Sequence, residues 1–253
     1  MPKIHRLAEN VYGITELFHP AGWVNAGFIA TENFIIHIDA GMTINDGKYL
    51  LENSMKKAKE PEELWLILTH NHSDHIFGMK VFKEAGAKII AHEWVKKFLL
   101  SRTLPLFRRV KDTYKDFIIK MMVKRMGFNR EKAEEILGDV ELFVPDKVFQ
   151  EDFSLKFDEE IVLELICTPG HVPGEISVYY PESKTLFAGD TVYEGMPLTT
   201  KFGGPKEWKQ WIKSLEKLQQ LDIKKIVPGH GKICGKEELQ RNIEYLENFL
   251  AKH

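Results

Sequence analysis

The sequence predicts a layered α/β fold. Three observations carry this expectation: short β-rich apolar runs alternate with segments of helical period, turn residues punctuate them, and 253 residues suffice to bury about three quarters of the surface an unfolded chain exposes. Hydrophobic residues make up 43% and charged residues 28%, ordinary globular proportions that exclude a disordered, collagenous or fibrous chain.

The elements follow in order. Val11-Tyr12-Gly13-Ile14, Ala26 to Ala30 and Phe34 to Ile38 read as hairpin-connected strands, the last closing on Asp39-Ala40-Gly41. From Asn45 to Lys59, Leu50, Leu51, Met55 and Ala58 repeat at helical spacing before Pro61 and a buried-strand run, Leu64 to Leu68. A helix is expected over Ile76 to Ala85 and a strand over Lys88 to Ala91. The stretch 93–140 has helical periodicity with breaks at Pro105 and Gly127, and reads as two or three helices inserted between the halves of the domain. Strands resume at Phe153–Phe157, Ile161–Cys167, Ile176–Tyr180 and Thr185–Ala188. A helix at Pro205–Gln220, a strand at Lys225–Val227 and a helix at Lys236–Lys252 complete the pattern. With no Gly/Ser linker or low-complexity tract, residues 1–253 are expected to form one domain carrying that insertion.

The formal charge of −2, from 35 basic and 37 acidic residues, gives the whole molecule no field that would gather nucleic acid or anionic lipid. No stretch reaches the ~18 uninterrupted apolar residues of a membrane span, and the first ten residues have no apolar run behind Lys3 and Arg6. A cytoplasmic protein is expected. Two cysteines, Cys167 and Cys234, exclude a disulfide-rich scaffold and read as small buried apolar residues.

The chemistry concentrates in Thr69-His70-Asn71-His72-Ser73-Asp74-His75, directly after an apolar strand. Residues two apart on extended backbone point the same way, so His70 and His72 suit one ion, and a turn into the next helix would send Asp74 and His75 toward a second. Three further segments repeat one grammar of apolar strand, small turn residue, then ligand: Thr168-Pro169-Gly170-His171, Phe187-Ala188-Gly189-Asp190 and Val227-Pro228-Gly229-His230. This is what several strand ends converging on one site would look like.

These motifs resemble the metallo-β-lactamase superfamily, with its His-x-His-x-Asp-His segment, distant His, bridging Asp and last His; all seven positions are filled here. The resemblance implies a four-layer αβ/βα sandwich of two mixed β-sheets flanked by helices. It assigns His70, His72 and His171 to a first metal and Asp74, His75 and His230 to a second, with Asp190 bridging both and Asp39 supporting the ligands from behind. Imidazole and carboxylate donors suit two divalent ions, zinc as the first expectation and iron or manganese as the others. Two such ions about 3.5–4 Å apart hold a shared water and lower its pKa toward neutrality, so hydroxide is the expected nucleophile on a carbonyl carbon. Asp74 is expected also to orient it. Tyr193, three residues after Asp190, matches the tyrosine that donates to the substrate carbonyl in the lactonase branch.

The full ligand set resembles glyoxalase II-like hydrolases, so a small-molecule thioester or lactone is the expected substrate. Only about twenty residues follow His230, which weighs against the glutathione-gripping helical domain of glyoxalase II itself. Between Lys96 and Lys132 twelve basic residues face three acidic ones, a local net charge of +9, interleaved with Leu, Phe, Ile and Met. This amphipathic stretch is expected to be a cap, a lid or a homodimer contact. Two other readings share the ligands, a metallo-nuclease or phosphodiesterase and an iron-dependent persulfide-dioxygenase-like enzyme. Salt-dependent RNA binding and metal analysis distinguish them. His19 and Trp23, in an early loop, are expected to border the pocket.

Overall fold

The computed structural model describes residues 1–19, 22–58, 61–103, 116–124, 127–157 and 161–252. Seven strands form a first sheet in sequence order: β1 (Lys3–Arg6), β2 (Val11–His19), β3 (Gly22–Ala30), β4 (Phe34–Ile38), β5 (Glu63–Leu68), β6 (Lys88–His92) and β7 (Lys147–Phe149). The first four run antiparallel to their neighbours, and β4 through β7 are parallel. The second sheet has the order β12-β11-β10-β9-β8, built from β8 (Phe153–Lys156), β9 (Val162–Cys167), β10 (Ile176–Tyr180), β11 (Thr185–Tyr193) and β12 (Lys225–His230). There only β11 and β12 are parallel.

Side-chain alternation explains why two sheets stack and both outer faces carry helices. In β5, Leu66 and Leu68 point to one face and Ile67 to the other; in β11, Leu186 and Ala188 oppose Phe187. The inner faces meet through Ile36, Ile67, Ile90, Leu165, Val178 and Phe187. The outer face of the first sheet is covered by α1 (Ile44–Met55), α2 (Ser73–Ile76), α3 (Met79–Glu84), α4 (Glu93–Thr103), α5 (residues 116–124) and α6 (Arg130–Leu137). That of the second is covered by α7 (Pro205–Leu218) and α8 (Glu237–Leu250). The expected four-layer sandwich of two mixed sheets is present. Among the described residues no helix is long and apolar enough to cross a membrane.

Several boundaries differ from the sequence reading, each for a physical reason. The helix expected over Ile76–Ala85 is two short ones, because the Gly78 N–H turns to the Gly41 carbonyl (3.1 Å) instead of continuing a helical ladder. Helix α1 starts one residue early, where Thr43 and Asp46 exchange hydrogen bonds: Asp46 N–H to Thr43 Oγ1 (3.0 Å) and Thr43 N–H to Asp46 Oδ2 (2.9 Å). The hairpin strands β2 and β3 run to His19 and from Gly22, past one register shift between Ile14 and Leu17 that breaks their alternation. Strands β1 and β7 were too short and too polar to be read. The pairing of β7 beside β6 makes the helical stretch 93–140 a crossover within the first sheet instead of a bridge between the two; its residues 104–115 and 125–126 lie outside the described set.

Candidate metal centre

The parallel strands of the first sheet end where β5 gives way to Thr69. His70 and His72 follow on extended backbone, His72 at φ −75° and ψ 149°, and α2 begins at the next residue with Asp74 and His75 in its single turn. That change from extended to helical backbone is what divides one short segment between two groups of donors. The donor atoms of His70, His72, His171 and Asp190 lie within 4.8 Å of one another, and those of Asp74, His75 and His230 likewise. All seven sequence-predicted ligand positions converge, in the two sets expected.

Asp190 faces both sets, one with each oxygen. Its Oδ2 is 3.2 Å from His171 Nε2 and 3.8 Å from His70 Nε2; its Oδ1 is 3.1 Å from His75 Nε2 and 3.3 Å from His230 Nε2. Asp74 Oδ2 sits 3.4 Å from His230 Nε2 and 3.7 Å from His75 Nε2. His72 Nδ1 and His171 Nε2 approach to 3.0 Å.

The donor set fits divalent cations on the evidence of its own unmet valences. His70 Nε2 is buried with no hydrogen-bond partner, and His75 Nε2 and Asp190 Oδ1, equally buried, meet each other at 3.1 Å without a well-formed hydrogen bond. Orphaned polar atoms on this scale are rare in a folded interior, and ions would satisfy all three at once.

Electrostatics divides the two sets. Burial holds His70 and His72 below the ordinary imidazole range and takes His171 down to about 3, so these rings stay neutral with a lone pair to offer. Burial also acts on His230, but the Asp190 and Asp74 carboxylates outweigh it and push the ring up to about 10. His75 is likewise raised despite burial, by Asp190, Asp39 and Asp74. Asp190, which burial alone would raise, is held well below the carboxylate range by His230 and His75. The carboxylate-rich half demands positive charge, which protons supply in the metal-free site and a cation would supply in their place.

The supporting atoms are equally specific. Asp39, at φ 63°, accepts from Thr69 N–H and Thr69 Oγ1 (2.8 Å each) and lies 2.8 Å from His75 Nδ1. Thr69 Oγ1, committed as a donor to Asp39, is left to accept from His70 Nδ1 at 3.0 Å. That places the remaining His70 lone pair on Nε2, facing the site. His230 Nδ1 is 2.7 Å from the Trp23 carbonyl, and its N–H is the donor of the pair.

Sequence reasoning missed Thr69 and Glu175. Glu175 is fully buried; its Oε1 accepts from Asp190 N–H (2.9 Å) and lies 3.4 Å from His70 Nδ1. The one signal available was a charged residue directly preceding the apolar run Ile176–Tyr180.

Tyr193 is buried beside the donors and gives its hydroxyl hydrogen to Asp190 Oδ2 at 2.6 Å. It also lines a cavity of about 500 Å³ whose floor holds His72, Asp74, His171, Asp190 and His230, and whose walls include Met42, Phe117, Ile118, Met121, Met196 and Phe202. The early loop contributes differently from expectation. The Trp23 carbonyl supports His230, its half-exposed indole does not line this cavity, and residues 20–21 and the His19 side chain lie outside the described set.

Comparison with known proteins places these observations in a family. The family model described as "Metallo-beta-lactamase superfamily" matches residues 20–230. A metallo-beta-lactamase type 2 of Bacillus sp. (strain 170) is 24% identical over 253 residues, covering 96% of this chain and 82% of that protein. The hydroxyacylglutathione hydrolase GloC of Haemophilus influenzae is 28% identical over 170 residues, covering 66% and 68%. A solved metallo-beta-lactamase from Pontibacter korlensis superposes with a TM-score of 0.70 at 20% identity, covering 98% of this chain and 100% of that one.

Proposed function

The chain belongs to the metallo-beta-lactamase superfamily, and from that premise we propose that it is a binuclear metal-dependent hydrolase of thioester or lactone carbonyls. Members of the family are metal-dependent hydrolases, and this chain carries the His and Asp groups for metal. The observation that carries the two-metal reading is Asp190, whose two oxygens face two separate groups of imidazoles at a cavity floor.

In this reading His70, His72 and His171 would hold one ion and Asp74, His75 and His230 another, with the Asp190 carboxylate facing both sets. Zinc is the proposed metal, since the donors are imidazole and carboxylate. Bound divalent ions supply Lewis acidity for the carbonyl oxygen and make water acidic enough to be a nucleophile at neutral pH. The chain's own residues do the rest. Asp74, at the cavity floor, accepts a proton from the attacking water and fixes its direction. Tyr193 stands over the same floor, and its hydroxyl turns from Asp190 to the substrate carbonyl as charge develops there. Thr69, Asp39 and Glu175 keep the imidazoles and the Asp190 backbone in place so that little reorganises during reaction.

The test is metal quantification on protein purified without added ions, then turnover of thioesters, lactones and phosphodiesters by the metal-loaded protein. Two metals per chain and carbonyl turnover are expected, with Tyr193→Phe lowering kcat/KM about tenfold or more at unchanged metal content. Turnover confined to phosphodiesters, or iron with oxygen consumption, overturns the proposal.

A further inference from the structure

The proposal above leaves the substrate's non-reacting part unassigned, and the cavity wall bears on it. Above the donors, the wall is formed by one face of α5, with Phe117, Ile118 and Met121, and by Met42, Met196 and Phe202 from elsewhere in the chain. Phe117, Met196 and Phe202 are 59%, 41% and 50% exposed, unusual for large apolar side chains, and all three border this one opening. Large apolar groups left in water around a concave site mark it for an apolar ligand. Three of the wall residues are methionines, whose unbranched chains repack around ligands of differing length. Among the described lining residues only Lys201 is cationic, and its Nζ lies over the Phe202 ring (4.8 Å to the centroid), which itself packs against His72 (4.4 Å between centroids).

We propose that this wall is an acyl-chain site, so that the protein prefers carbonyl substrates whose acyl part is an uncharged aliphatic chain. The inference rests on the carbonyl-hydrolase reading, because a carbonyl carbon held at the His/Asp floor places its substituent in the chamber that these apolar side chains line. Helix α5 is then a specificity element. Its Ile118 also belongs to the buried core of the first sheet, together with Ile119 and Met122, which anchors the helix over the site. Met121 and Phe117 are the residues that sort chains by length.

The experiment uses metal-loaded protein and thioesters of one uncharged thiol with acetyl, butyryl, hexanoyl, octanoyl and decanoyl groups. The expected result is a kcat/KM that rises about fourfold per methylene buried until the chamber is filled. Met121→Ser and Phe117→Ser are each expected to lower the decanoyl-to-acetyl ratio at least tenfold. A flat wild-type series overturns the proposal while leaving the hydrolase reading standing. So does a rise seen only when the alkyl chain is moved to the thiol of an acetyl thioester. If no carbonyl substrate is turned over, the hydrolase reading falls, and calorimetric binding of acetate, hexanoate and decanoate decides the chain site independently. Affinity that climbs with chain length in wild type and not in Met121→Ser upholds it, and equal affinities overturn it.

Discussion

Asp190 shows how much one side chain depends on its neighbours. It serves two groups of imidazoles only because its backbone N–H is pinned by Glu175 and its position on β11 is set to within a hydrogen bond. Glu175 is pushed well above the carboxylate range by burial and by Asp190, so glutamine imitates it and alanine does not. Glu175→Ala is expected to weaken zinc binding about 10- to 100-fold, measured by competition with a chelator. Glu175→Gln should retain most of the affinity, and equal losses in both would refute the positioning role. His37 offers a test away from the site. Its Nε2–H donates to Ser54 Oγ (2.9 Å), which itself donates to the Leu51 carbonyl, while Nδ1 is buried without a partner, so the ring is neutral. Burial takes its pKa from 6.5 down to about 3. Between those values the unfolded chain holds a proton that the folded chain refuses. The stability His37 contributes is therefore complete above pH 6.5 and lost as pH falls toward 3, by about 1.4 kcal/mol per unit. Metal-free wild type should lose Tm more steeply than His37→Gln between pH 6.5 and 4.5; parallel curves would show that His37 is not the titrating group.

Strand β11 carries most of what the element scale decides. The apolar run suggested a strand ending at Ala188, with Asp190 in the loop beyond it; the strand in fact continues to Tyr193, so Asp190 and Tyr193 are strand residues. Register shifts against β12 on both sides of Gly189 make this so, and irregular pairing leaves no period for a sequence reader to follow. Gly189 lies at φ 53°, and a Cβ there would meet Glu175 Oε1 and Thr69 Cβ at 2.7 Å. Gly189→Ala should cost about 1–3 kcal/mol in chelator-treated protein by denaturant titration, and should also lower bound metal. A variant with full stability and full metal content would mean that the bulge is not needed. The β5 end behaved otherwise. A regular parallel strand with a dense His cluster behind it was readable as an element and as a site.

At the scale of the molecule, the centre is a joint between the two sheets. His70, His72, Asp74 and His75 follow a strand of the first sheet, whereas in the second sheet His171 follows β9, Asp190 lies within β11 and His230 ends β12. A cation that binds only the folded arrangement stabilises it by mass action, about 4 kcal/mol at a thousandfold excess over Kd. Chelation should therefore lower Tm in a single cooperative transition, and zinc should restore it. A Tm indifferent to metal would mean the sheets hold the donors without its help. What the sequence determined alone was the His/Asp cluster behind β5, the repeated strand-turn-ligand segments and the alternation that makes two sheets stack, because residue type and side-chain period are local properties of a chain. The division of the seven predicted donors between two groups was implied by the family resemblance. The crossover path of residues 93–140, the α5 face above the donors, the roles of Thr69 and Glu175 and the true extent of β11 came only with tertiary structure. Each of these depends on which distant residue fills the space beside it, and contacts between distant segments leave no period in the sequence.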